Sequence, residues 1–190
     1  MNFKAIILAA GKGTRMKSKN PKVVHKVCGK EMVNHVIDIS NKSGVNDVVV
    51  ILGHGSETVK NVIPQDAIVV MQTEQLGTGH AVKMAKDTIN DDDIIVVLCG
   101  DTPLIEEETL KKLFDYHLEN EYMATVLTTK VDDPTGYGRV IRDSEGNFAR
   151  ILEQKDANEE ELAVNEINSG IYCFKGDKLK EALDLLDNNN

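Results

Sequence analysis

The residues best suited to chemistry lie near the start of the chain, in Leu8-Ala9-Ala10-Gly11-Lys12-Gly13-Thr14-Arg15-Met16 and the following Lys17-Ser18-Lys19-Asn20-Pro21-Lys22. Small residues let a backbone come close to a ligand, and lysine and arginine around them can neutralise several phosphate oxygens at once. Between Gly11 and Lys30 stand Lys12, Arg15, Lys17, Lys19, Lys22, Lys26 and Lys30 and no acidic residue, although the chain carries a net charge of -9. A basic loop in an acidic protein, entered from the apolar run Ala5-Ile6-Ile7-Leu8, reads as an anion site at a strand end rather than as a solvated face. It is not a Walker A loop, because Ile6 stands where the first glycine belongs and Gly13 where serine or threonine belongs. It is not a dinucleotide fingerprint either, because Met16 occupies the third glycine position.

A second candidate is Asp101, within Cys99-Gly100-Asp101-Thr102-Pro103. A carboxylate leaving a buried strand suits a hard divalent cation that keeps several waters and bridges phosphates, which points to magnesium. The structural reading of the same residue is a cap on the Thr102-Pro103 turn. Gln72 with Gln75, Gly77 and Thr78 forms a third set, since an amide presents donor and acceptor together, as reading a nucleobase edge requires. As structure alone, Thr78 would be an N-cap and the glutamines surface loop. Gly136-Tyr137-Gly138-Arg139, Glu153 and Asn165-Glu166-Ile167-Asn168-Ser169-Gly170 carry carboxylate and amide groups of the kind that meet sugar hydroxyls, and read equally as hairpin, strand end and turn. His25, His35, His54, His80 and His117 show no ligand spacing, and no GxSxG elbow or Cys/His pairing supports a side-chain nucleophile. Cys28, Cys99 and Cys173 are odd in number and too far apart for a metal knuckle, so they read as reduced core residues.

The elements that must position these groups follow from hydrophobic periodicity. Apolar runs of strand length fall at 3–8, 48–52, 68–71 and 94–98, and helical spacing at 32–43, 56–63, 80–89 and 107–120. Such alternation predicts a doubly wound, mostly parallel α/β sheet. Ligands in such sheets bind outside the carboxyl ends of the strands. Asp101 follows the strand at 94–98 and is expected at that edge; Asp91-Asp92-Asp93 precedes it and is expected at the other edge as a solvated turn. Beyond residue 123 the pattern changes to strands at 124–131, 139–142, 148–153 and 167–174, which predicts a small α+β lobe, and a last helix spans 178–186.

With 190 residues, 41% hydrophobic and 28% charged, the chain is sized for one globular domain with a small lobe. An excess of 31 Asp+Glu over 22 Lys+Arg excludes the broad basic footprint of a nucleic-acid-binding surface. No run approaches the ~18 apolar residues of a membrane helix, and Met1-Asn2-Phe3-Lys4 leads straight into a strand, so a cytoplasmic protein with neither nucleic acid nor membrane as partner is expected.

Taken together, the first loop, Gln72 with Gln75-Leu76-Gly77-Thr78-Gly79-His80-Ala81, Gly100-Asp101-Thr102-Pro103-Leu104, Asp133-Pro134-Thr135-Gly136-Tyr137-Gly138-Arg139, Glu153-Gln154-Lys155-Asp156-Ala157 and Glu166-Ile167-Asn168 resemble the sugar-phosphate nucleotidylyltransferases. Within them the blocks are most similar to the uridylyltransferase domain of bacterial bifunctional N-acetylglucosamine-1-phosphate uridylyltransferases/glucosamine-1-phosphate acetyltransferases. The resemblance implies a Rossmann-like nucleotidyltransferase sheet with a sugar-binding lobe, the nucleotide-binding part over about 1–122 and the lobe over about 123–175. It implies that Leu8, Ala9, Ala10, Gly11, Gly13, Lys22, Gln72, Gly77 and Thr78 bind the nucleotide, and that Cys99, Gly100, Gly138, Glu153 and Asn168 line the sugar site. Arg15, Lys22 and Asp101 would be catalytic, with Asp101 the ligand of Mg2+. The implied reaction joins UTP and N-acetylglucosamine 1-phosphate into UDP-N-acetylglucosamine, a peptidoglycan precursor, with release of pyrophosphate.

In the family a second magnesium ligand, an asparagine, and a trimerising left-handed β-helix domain with the acetyltransferase lie beyond the stretch matched here, so the chain reads as a truncated domain. The alternatives are a nucleotide-binding fragment with little turnover and another sugar-1-phosphate nucleotidylyltransferase, for example one using dTTP and glucose 1-phosphate. A glycosyltransferase of similar fold would carry an Asp-x-Asp pair, whereas Thr102-Pro103 follows Asp101.

Overall fold

Ala5, Ile6 and Ile7 expose no surface, and a strand carrying such a run must be covered on both faces. The computed structural model, which describes residues 2–11, 13 and 16–186, places that strand, β1 (Asn2–Ala9), inside a sheet. After the basic loop comes a two-stranded hairpin of β2 (Lys26–Val27) and β3 (Lys30–Glu31). It turns through Cys28 and Gly29, at φ 50° and 84°, the positive angles such two-residue turns demand. Helix α1 (Met32–Lys42) buries Met32, Val33, Val36 and Ile37 at three- and four-residue spacing. The alternation continues with β4 (Asp47–Leu52), α2 (Ser56–Lys60), β5 (Ile68–Met71), α3 (Thr78–Met84), β6 (Asp93–Cys99) and α4 (Glu107–Glu119). Then follow β7 (Ala124–Lys130), β8 (Arg139–Arg142), β9 (Phe148–Leu152), the short α5 (Glu159–Leu162), β10 (Glu166–Lys175) and α6 (Gly176–Leu185).

The chain forms two compact units, Met1–Thr125 with Tyr172–Asn190, and Val126–Ile171. In the first, the strand order is β5-β4-β1-β6 with every neighbour parallel. The last residues of β10 run antiparallel beside β6, Tyr172 opposite Val97 and Phe174 opposite Ile95. One face packs Ile6, Val49, Ile51, Ile95 and Val97 against Ala81, Val82 and Ala85 from the α3 region and Leu179 and Leu183 from α6. The other face meets α1 and α4, where the Phe3 and Phe114 rings lie 4.9 Å apart. Each such fully buried Ile or Leu contributes roughly 1.5–3 kcal/mol. Helices on both faces of a mostly parallel sheet make this a doubly wound α/β fold, and they leave the carboxyl ends of β1 and β6 open at one edge.

In the second unit β8 and β9 pair antiparallel, Val140 opposite Ile151, and Ile167 of β10 lies opposite Arg139. The Asp143 carboxylate closes the hairpin turn by accepting from the backbone N–H groups of Glu145 (2.9 Å) and Asn147 (2.8 Å). A capping box between Asn158 and Glu161 starts α5, which has no apolar periodicity to announce it.

Three local expectations change. Asp91 and Asp92 are exposed ahead of β6, but Asp93 is only 1% exposed and belongs to the strand. It is buried because Lys4, one strand away and itself 3% exposed, sits 2.9 Å from it. Burial opposes ionisation of Asp93, yet the bonds from Lys4, the Asn90 N–H and Asn2 outweigh it and hold the carboxyl below its usual range. Cys28 is exposed, at the turn of a hairpin too short to show a strand pattern. Helix α3 begins at Thr78, two residues earlier than expected, because Gly77 at φ 99° serves as its N-cap, and after Met84 it gives way to a 3-10 turn at Lys86–Thr88.

Candidate active site

The loops leaving β1, β5 and β6 meet around a cavity of about 440 Å³ in the first unit. From the end of β1 come Leu8, Ala9, Ala10, Gly11 and Gly13; Lys22 follows; Gln72, Gln75, Gly77 and Thr78 come from the loop after β5; Cys99 and Asp101 come from the end of β6. Residues far apart in sequence thus converge where the strand-end rule puts a ligand. Met16, Val23 and Ala81 also line it and were not among the expected binding residues. Val23 directly follows Lys22 in one 3-10 turn, Lys22–Val24, and Ala81 lies on the inner side of α3; adjacency to predicted residues was the available signal. Arg15 lies outside the described residues. Gly100 does not line the cavity but backs it: its N–H donates to the Leu8 carbonyl at 2.9 Å, and a side chain there would meet that oxygen at 3.1 Å.

The basic loop is seated by close contacts that tolerate no extra atom. A Cβ on Gly13, at φ 59°, would fall 2.8 Å from the Lys22 Cβ. A Cβ on Gly55, at φ 70°, would fall 2.5 Å from the Pro21 Cγ. Lys22 and the preceding Pro21 are thus each packed against a glycine. The Lys22 Nζ lies 2.6 Å from Asp101 Oδ2, each side chain about one third exposed (37% and 32%). The neighbouring Cys99 thiol is pushed up to about 11 by burial and by the Asp101 charge, with Lys22 opposing, so it stays protonated and is no nucleophile near neutral pH.

Gln72 is 3% exposed. Its Nε2 donates to the Gly77 carbonyl at 3.1 Å and lies 3.0 Å from His80 Nδ1. The amide therefore ties the loop after β5 to α3 as well as lining the cavity. Among the described residues no group of three or more His, Cys, Asp or Glu could enclose a metal. Asp101 is the one acidic residue lining the cavity among the described residues, and a carboxylate beside a lysine in a cavity built from small residues has the chemistry for a hard divalent cation that keeps its waters and is shared with phosphate oxygens. Asp101 fits that role.

In the second unit the structure brings Gly138, Glu153 and Asn168 together. The Asn168 N–H donates to the Gly138 carbonyl at 2.9 Å, and a Cβ on Gly138 would sit 3.2 Å from Glu153 Oε1. Arg139 is 2% exposed and donates to the Tyr137 carbonyl. Glu166 accepts two bonds from Arg142 (2.8 and 2.7 Å) and one from Thr128 (2.7 Å). The Arg142 guanidinium, against the opposing effect of burial and with help from Thr128, brings its carboxyl down to about 2. Such a carboxylate braces the sheet and is too weak a base for proton transfer at neutral pH.

Residues 4–190 match the profile of the nucleotidyl transferase family. The bifunctional protein GlmU of Clostridioides difficile is 73% identical over 100% of this chain, which covers 41% of that protein. The bifunctional protein GlmU of Alkaliphilus oremlandii is 58% identical over 100% of this chain and 42% of its own length. This chain thus spans about two fifths of the length of the curated relatives it matches. A crystal structure from Bacillus anthracis, provisionally described as a glucose-1-phosphate thymidylyltransferase in complex with a sucrose, superposes with a TM-score of 0.83 over 97% of this chain and 76% of that one. At 20% identity that likeness concerns the fold.

Proposed function

We propose, since this chain belongs to the nucleotidyl transferase family, that it transfers UMP from UTP to N-acetylglucosamine 1-phosphate, giving UDP-N-acetylglucosamine and pyrophosphate. The observation that carries this reading is the convergence of the small-residue loop, the Lys22–Asp101 pair and the Gln72–Thr78 loop on one cavity. Leu8, Ala9, Ala10, Gly11, Gly13, Gln72, Gly77 and Thr78 are assigned to the nucleoside and its phosphates. Cys99 and Gly100 at the end of β6, and Gly138, Glu153 and Asn168 in the second unit, are assigned to the sugar.

A phosphate oxygen of the sugar phosphate attacks the α-phosphorus; a new P–O bond forms and the bond to the bridging oxygen of pyrophosphate breaks. The nucleophile is already an anion, so no side chain has to remove a proton. The work left to the protein is to hold two repelling anions in line and to offset charge on the leaving group. Lys22 supplies a cation for the phosphates, and Arg15 is assigned the same task. Asp101 would hold magnesium, which when bound polarises phosphate oxygens and offsets charge on the pyrophosphate. The small residues at the end of β1 admit the nucleotide to the strand edge and keep the reacting groups close to the protein.

Pyrophosphate release over a matrix of UTP, dTTP, CTP and ATP against N-acetylglucosamine 1-phosphate and glucose 1-phosphate, with and without magnesium, tests the reading. Release with UTP and N-acetylglucosamine 1-phosphate, lost on chelation and restored by magnesium, is expected. Preference for dTTP with glucose 1-phosphate, or nucleotide binding with no release under any condition, would overturn it.

A further inference from the structure

We propose that His80 is a specificity-determining positioning residue: by accepting a hydrogen bond from the Gln72 amide it keeps that amide's oxygen available to the base, and so favours uracil or thymine over cytosine. This rests on the reading that the cavity takes a pyrimidine nucleotide through Gln72.

The orientation of the amide follows from its surroundings. The Gly77 carbonyl already accepts the Ala81 N–H at 3.1 Å, and it faces the Gln72 amide at 3.1 Å. A carbonyl oxygen only accepts, so the atom opposite it must be the NH2. The second hydrogen of that NH2 is directed at His80 Nδ1, 3.0 Å away, which must then be the unprotonated ring nitrogen, with the proton on Nε2. Both amide donors are engaged inside the protein. Oε1 is left, and among the described residues it has no hydrogen-bond partner. Gly77 can aim its carbonyl this way because its φ of 99° is open to glycine.

Where it meets N3 of the base, an acceptor without a donor sorts the pyrimidines. Uracil and thymine carry an N3–H that can donate to Oε1; cytosine carries a lone pair on N3 that opposes it. Turning the amide over would suit cytosine, but it would set Oε1 against the Gly77 oxygen and remove the bond to His80. His80 does not line the cavity itself and acts through Gln72.

Calorimetry with UTP and CTP in magnesium buffer, without sugar phosphate so that nothing turns over, tests this on the 190-residue chain, with thermal melting alongside. The wild type should prefer UTP by about 10-fold or more. His80→Leu should cut that preference roughly 3-fold or more, and His80→Gln, which restores an acceptor, should keep it within about twofold of the wild type. An unchanged preference in a folded His80→Leu chain overturns the role of His80. If that variant does not fold, a preference lost in His80→Gln overturns it. Gln72→Met separates the two layers: a preference that survives there sinks the assignment of Gln72 to the base, whereas one lost there but intact in His80→Leu sinks the role of His80 alone.

Discussion

Lys22 Nζ and Asp101 Oδ2 lie 2.6 Å apart, so the cation assigned to phosphate and the carboxylate assigned to metal neutralise one another. A metal ion held by Asp101 would have to compete with Lys22 for the same oxygens, and a nucleotide that drew Lys22 away would free Asp101. Lys22→Met should therefore bind Mn2+ a few-fold more tightly in the absence of nucleotide, read by electron paramagnetic resonance of the free ion. The same substitution should lower pyrophosphate release by on the order of 10²-fold, as should Arg15→Ala. Unchanged Mn2+ affinity would dispose of the competition.

Gly55, which does not line the cavity, packs closely against Pro21, the residue before Lys22. Gly55→Ala would drive a Cβ to 2.5 Å from Pro21 at a φ of 70° that disfavours alanine. It should cost about 1–3 kcal/mol of stability in urea unfolding and raise the KM for UTP, because Pro21 and Lys22 must move together. A variant that loses stability with KM unchanged would show that Gly55 does not position Lys22.

At the opposite ends of the strands, Lys4 and Asp93 form a pair with 3% and 1% exposure. Removing one partner strands a buried charge, so Asp93→Asn or Lys4→Met should cost about 3–5 kcal/mol. The double replacement Lys4→Met with Asp93→Leu should recover much of it. Urea melts of the three chains measure the coupling, and simple additivity would refute it.

Glu166 makes stability depend on pH in the second unit. Its carboxyl is depressed from 4.5 to about 2 by Arg142 and Thr128 against the cost of burial, so the folded state holds fewer protons than the unfolded state in that window. The contribution is complete above the unfolded value and is lost as pH falls from 4.5 toward about 2. Glu166→Gln should be less stable by roughly 1.5–3 kcal/mol near neutral pH, and its deficit should shrink on acidification. A deficit independent of pH would assign the effect to packing.

The elements were legible wherever a local pattern carried them. β5 falls at 68–71 and β8 at 139–142 as periodicity predicts, and α1 stops ahead of Gly44. The hairpin of β2 and β3 was not legible, since two residues per strand show no alternation; it is marked by positive φ at Cys28 and Gly29. The burial of Asp93 is not legible either: its place ahead of the strand at 94–98 predicts a solvated turn, whereas its partner Lys4 lies on another strand.

From residue order alone one can obtain the α/β alternation, the glycine and basic loop at the end of the first strand, and Asp101 at the end of β6. These rest on periods of two and 3.6 residues and on the rule that ligands gather at strand carboxyl ends, which short windows of chain encode. Tertiary structure decided the partners: Lys22 with Asp101, Lys4 with Asp93, and the Gln72 amide between Gly77 and His80. Strand register and loop packing bring these groups together, and burial makes their hydrogen bonds obligatory, which no local pattern records.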